Sequence, residues 1–146
     1  MRHRRSIIIA LLAVVVVGVA LLVVRACQAA HQRAQASSCA GRMFPFTFAA
    51  FQWMQDNKSS RFPTNLAYLS SEGAPVRWLV CPRDTSRTAA ADWASFTPEH
   101  SSYEIVSPGM AEHDTNSVFL RCRIHAHLAY GDMTVFDGVR RRHKFE

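Results

Sequence analysis

No acidic side chain occurs among the first 39 residues, and the remainder of the chain has almost no net charge. The formal +6 therefore comes from one end. Arg2, Arg4, Arg5, Arg25 and Arg33 supply five of the six positive charges, while from residue 40 onward twelve Lys and Arg face eleven Asp and Glu. A basic total usually points to an anionic partner, but here the folded part is close to neutral, which removes the electrostatic footprint that nucleic-acid binding needs. Internal repeats and low-complexity tracts are also absent. With 146 residues there is room for one modest domain plus a tail.

What the chain does have is an uninterrupted apolar run. Ile7 to Val24 are eighteen uncharged residues rich in Ile, Leu, Val and Ala. At about 1.5 Å rise per residue such a helix covers roughly 27 Å, close to the ~30 Å hydrocarbon thickness of a bilayer. A cleaved secretory signal has an apolar region of about 7 to 15 residues that ends at a small-x-small site, so the run reads as an anchor. Arg2, Arg4 and Arg5 precede it and Arg25 and Arg33 follow it, which sets the N-terminus in the cytoplasm and everything past Arg25 outside it, in the periplasm of a cell with two membranes. VVRAC at 23–27 loosely resembles a lipoprotein processing box before Cys27, but Arg25 stands where such boxes carry small or apolar residues.

The division that follows is a cytoplasmic basic N-terminus at 1–6, a transmembrane helix at 7–24, a stalk and head-packing helix at 25–57, and a globular head at 58–146. ACQAAHQRAQASSCAGRM is rich in Ala and Gln with no Pro or strand former, so the helix continues outward. Pro45 then makes FPFTFAAFQWMQDNK either a kinked continuation or a new helix. Met43, Phe46, Ala50 and Met54 repeat at helical spacing, Phe44, Phe48 and Phe51 widen the stripe, and a sheet is expected to cover it. Leu66 to Leu69 reads as one or two helical turns; VRWLVC, SSYEIV, SVFLRCRI, HLAY, MTVF and the start of VRRRHKF read as strands. The loop at 84–101 has Trp93 and Phe96 as tethers. Gly131-Asp132 and Asp137-Gly138 suit two-residue hairpin turns. The expected fold class is α+β, a long N-terminal helix on a small antiparallel sheet.

Outside the cytoplasm disulfides persist. Cys27 and Cys39 are expected near the membrane, whereas Cys81 and Cys122 lie in apolar strand-like contexts of the head. The expected bond is Cys81 with Cys122, closing a loop of about 40 residues for roughly 3 to 4 kcal/mol.

SCAGRM, WMQDNKSSRFPTNLAYLS, LVCPRD, SSYEIVSPGM and RCRIHAHLAYGD, within residues 38–135, give the chain its likeness to a family. In their order and spacing they resemble the prepilin-like and pseudopilin-like proteins of bacterial type II secretion and type IV pilus systems, in the branch with CPxD, CxxH and late Asp-Gly motifs. The resemblance implies a membrane helix with a head of antiparallel strands, working as a structural or assembly component beside other pilin-like subunits in the inner membrane. Its motif residues map to Cys81, Pro82, Asp84, Cys122, His125 and Asp132, with Met133 where the family has Gly. A second mapping uses His127 and Asp137-Gly138, but Cys122 fixes the register of the first. The chain departs from the family at its start: RRSIIIALLA has neither the Gly of the prepilin cleavage site nor the Glu that pilins keep within the bilayer, at a cost, to register subunits.

The polar residues of RCRIHAHLAYGDMTVFDG admit chemical readings too. On an extended strand His125 and His127 point the same way with Cys122 nearby, and Cys81 or His113 as fourth ligand would complete a zinc site. A membrane-tethered metal- or ligand-binding module is accordingly the alternative function. Against it, a Cys81–Cys122 bond would consume two ligands and leave the histidines to the hairpin, His125 beside Asp132. A Cys-His nucleophile lacks an oxyanion hole and an orienting third group, and Asp132 and Asp137 sit where turns demand them. No catalytic residue, cofactor, metal or small-molecule substrate is expected. The terminal VRRRHKF reads as a solvated edge strand or a contact with acidic head groups.

Overall fold

The computed structural model describes residues 2–139 and 141–142. The fold is α+β: one long helix, α1 (Arg2–Asp56), precedes an antiparallel sheet in a pilin-like layout. The chain divides into two compact units, residues 1–34 and 35–146. In the first, the helix is long and apolar enough to cross a membrane, and none of its apolar window is buried. Leu12, Val14, Val16 and Leu22 are all more than half exposed.

In the second unit the same helix changes character. Cys39, Met43, Phe46, Ala50 and Met54 are fully buried, spaced three and four residues apart, so one stripe of the helix fills the head's core. Pro45 does not end the helix. The carbonyl it abuts, four residues back, belongs to Gly41, and burial of Met43 and Phe46 on either side holds the turn. The helix stops where Lys58 turns left-handed (φ 48°) and the Ser59 amide reaches back to the Met54 carbonyl at 2.9 Å. Of the aromatic stretch, Phe46 is buried and Phe51 and Trp53 pack partly against the core. Phe44 stacks on Phe48 instead, and Phe48 remains 43% exposed.

The sheet is a five-strand meander in chain order: β1 (Tyr103–Ile105), β2 (Val118–Cys122), β3 (Leu128–Tyr130), β4 (Val135–Phe136) and β5 (Arg141–Arg142). Every neighbouring pair is antiparallel. Phe119, Leu120 and Cys122 of β2 face the core together with Tyr103 and Ala129. Arg141 fastens the far edge: its guanidinium lies 3.9 Å over the Tyr130 ring and bonds Asp132 at 2.7 Å and the Thr115 carbonyl at 3.1 Å. Arg140 and residues 143–146 of the basic terminal stretch lie outside the described residues.

Short 3₁₀ turns at Leu66–Ser70, Val76–Leu79 and Pro98–His100 fill the segment between helix and sheet. The second corrects the expectation of a strand at VRWLVC. Pro75 and Pro82 bracket that stretch, neither can donate to a ladder, and the Trp78 amide closes a turn on the Pro75 carbonyl at 2.8 Å. In the long loop Trp93 donates to the Ala74 carbonyl at 2.8 Å and meets Phe96 edge-on, so both aromatics do tether it.

The hairpin turns also differ from expectation. At Gly131-Asp132 the left-handed residue is Met133 (φ 64°), and the Tyr130 and Thr134 backbones pair across a three-residue loop. Asp132 closes it by accepting from the Thr134 amide at 3.0 Å. At Asp137-Gly138, Phe136 pairs with Arg141, which makes this connection longer than a two-residue turn.

Candidate functional site

Four elements deliver one donor side chain each to a point beneath the helix. Cys39 comes from α1, Cys81 from the turn after the Val76–Leu79 helix, Cys122 from the last position of β2, and His125 from the hairpin loop that follows. The three thiols are at most 1% exposed and His125 is partly buried. One ligand atom from each lies within 4.8 Å of the other three. Cys39 Sγ is 3.4 Å from Cys122 Sγ, and Cys81 Sγ is 3.2 Å from His125 Nδ1.

Local sequence explains each placement. Cys81-Pro82-Arg83-Asp84 is a β-turn with Pro at its second position, closed by the Asp84 amide on the Cys81 carbonyl at 2.9 Å. Asp84, whose side chain is 1% exposed, accepts from Ser102 Oγ at 2.6 Å, Ser86 Oγ at 2.6 Å and Arg87 Nη1 at 3.0 Å. Ser102 Oγ in turn accepts the Cys81 amide at 3.0 Å, so the Asp of CPRD holds the Cys of CPRD through one serine. Arg42 on the helix reaches the Val80 carbonyl at 2.9 Å and ties the same turn to α1.

At the other side, Cys122 and His127 pair through a 2.9 Å backbone bond, and Ala126 turns left-handed (φ 53°). His125 and His127 therefore sit in a loop rather than on an extended strand. Their rings stack at 5.1 Å, but only His125 belongs to the cluster. His113 is exposed and takes no part in it. His125 turns to Cys81 and not to Asp132, which holds Thr134 and Arg141.

Electrostatics couple the thiols. Cys39 donates to Cys122. That donation lowers the Cys122 pKa, opposed by burial and helped by the nearby backbone N–H groups of His125 and Ile124. The same contact raises Cys39, as does burial. Burial raises Cys81, against a bond from the Arg83 backbone. Tyr103 Oη lies 3.4 Å from Cys39 Sγ, and its own pKa is raised by burial first and by Cys39 second.

The expected bond between Cys81 and Cys122 is not present; Cys27, Cys39, Cys81 and Cys122 are all free thiols. The sequence places Cys39 near the membrane, whereas α1 runs on and sets it beside Cys122 as a third sulfur. The signal was there: Cys39 lies four residues before Met43 and extends the buried stripe by one turn. Cys27, by contrast, is exposed. Among the described residues Cys39, Cys81, Cys122 and His125 are the group able to hold a metal, and the same closeness would let one pair of thiols be oxidised. Comparison with protein-family models, with curated proteins and with solved structures gave no match.

Proposed function

We propose that the chain is a single-pass, pseudopilin-like envelope protein that works by docking rather than catalysis, as a structural or assembly component of a type II secretion or type IV pilus-like system. The observation that carries this reading is α1: a segment apolar and long enough to span a bilayer continues without a break into the helix whose stripe fills the head. The five-strand meander and the CPRD and CRIH motifs support it, since the residues of the resemblance are those that build the head's turns. Its partners are then the inner membrane and other pilin-like subunits, with the head outside the cytoplasm and no nucleic acid or small substrate.

Membrane fractionation and N-terminal sequencing test the anchor together. The protein is expected in the membrane fraction, released by detergent and not by high salt, with its apolar segment intact and a reporter fused after Glu146 active outside the cytoplasm. Val16→Arg places a charge near the middle of the 7–24 run, at a cost of about 2.5–3.5 kcal/mol, and is expected to shift protein from the membrane to the soluble fraction. A cytoplasmic reporter, or wild-type protein recovered without detergent, would overturn the proposal.

A further inference from the structure

We propose that Cys39, Cys81, Cys122 and His125 are the four ligands of a structural zinc ion that clamps the helix to the sheet of the head. This goes beyond the docking reading and does not depend on it.

Three features carry the inference. The first is spacing. A tetrahedral zinc with Zn–S bonds of about 2.3 Å and a Zn–N bond of about 2.0–2.1 Å has ligand–ligand edges of about 3.5–3.8 Å. The observed donors bracket that, from 3.2 Å for Cys81 Sγ to His125 Nδ1 and 3.4 Å for Cys39 Sγ to Cys122 Sγ, up to the limit of 4.8 Å. The second is the surroundings of the sulfurs. Backbone N–H groups of Ile124 and His125 lie near Cys122 and that of Arg83 near Cys81, and the Tyr103 hydroxyl is 3.4 Å from Cys39 Sγ. N–H groups beside a sulfur stabilise a metal-bound thiolate. The third is count. Three buried thiols cannot all be satisfied by one disulfide, which would strand a sulfur, whereas one ion uses all three and the imidazole.

The donor set also selects the ion and its role. Three thiolates and a neutral imidazole suit a soft or borderline metal, and a closed tetrahedron of protein ligands is the pattern of structural zinc, with no position left for water or substrate. On binding, the thiol protons of Cys39, Cys81 and Cys122 leave to solvent; His125 binds through Nδ1, leaving Nε2, which is buried without a hydrogen-bond partner, to carry its proton. The four ligands come from the helix, the CPRD turn, β2 and its hairpin loop, so the ion joins segments that no ladder connects.

The full chain, purified in detergent without chelator, is tested by elemental analysis, non-reducing mass spectrometry and cobalt substitution. One zinc per chain is expected, with Cys39, Cys81 and Cys122 shielded from alkylation until a chelator is added, and with the visible absorption of tetrahedral thiolate cobalt after exchange. Cys39→Ser and His125→Ala are expected to lose most of the metal, Cys27→Ser to keep it, and His125→Cys to retain it because a fourth thiolate replaces the imidazole. Should the serine variant fail to fold, the wild-type metal content and cobalt spectrum still decide. Wild-type protein that takes up no stoichiometric zinc or cobalt, or that carries a Cys39–Cys122 disulfide, would sink the clamp while leaving the membrane anchor untouched.

Discussion

Phe119→Ala is expected to destabilise the head by about 4 kcal/mol, the middle of the range for an aromatic removed from a rigid core. Phe119 is fully buried in β2, and its ring centroid is 5.2 Å from that of Phe62, which comes from the segment after the helix. Alanine there would remove the contact between two parts of the chain and leave a void that neither the sheet nor the helix can close, because both are fixed by backbone bonds. In thermal unfolding of the detergent-solubilised protein the midpoint should fall by roughly 15 °C. Val106→Ala is the control. Val106 pairs its amide with the Phe119 carbonyl, yet its side chain is 42% exposed, so truncation there should cost under about 1 kcal/mol. Equal losses at the two positions would contradict the packing described.

Asp84→Ala is expected to cost about 3 kcal/mol, because it leaves the buried Ser102 hydroxyl without its acceptor and removes two further bonds, from the exposed Ser86 hydroxyl and the partly exposed Arg87 guanidinium. Burial by itself would raise the carboxyl's pKa. The bonds from Ser102, Ser86 and Arg87 outweigh it and hold the group well below the usual carboxylate range. The sign for stability follows. A carboxyl whose folded pKa lies below its unfolded value near 3.8 contributes in full above that value and loses its contribution as pH falls through the lower one. The unfolding midpoint should therefore be flat in this contribution above about pH 5 and decline progressively below about pH 4. Asp84→Asn should start lower and decline less steeply. Glu104, held down by Arg121 and Arg123, and Asp132, held down against burial by Thr134 and Arg141, add to the decline and persist in the variant. A wild-type and an Asn variant with parallel acid profiles would show that Asp84 is not the group responsible.

Much of this architecture was legible because it depends on local length, spacing and composition. The eighteen-residue apolar run has the length of a bilayer span, the Met43-Phe46-Ala50-Met54 stripe has helical spacing, and the strands at Tyr103, Val118, Leu128 and Val135 fall on β-branched and aromatic stretches between turn residues. VRWLVC failed because its β-branched and aromatic composition says nothing about whether a neighbouring strand exists; the flanking prolines were the better guide. The site was half legible. Cys81, Cys122 and His125 stand out in the sequence, and Asp84 builds the turn that holds Cys81 through Ser102. Cys39 does not stand out with them, because its distance from the head along the sequence says nothing of its distance in space. Eighty-three residues separate Cys39 from Cys122, and only the continuation of one helix through Pro45 puts them 3.4 Å apart. His127 was grouped with His125 by strand alternation, which the left-handed Ala126 cancels.

Because a single helix serves both units, the chain has few places where it can be cut without harm. Cleavage anywhere before Ser38 would free a head that keeps its whole interior, whereas cleavage one turn later would carry off Cys39, the first buried residue of the helix's stripe. Within α1, a cut that leaves the head's interior whole therefore falls before Ser38.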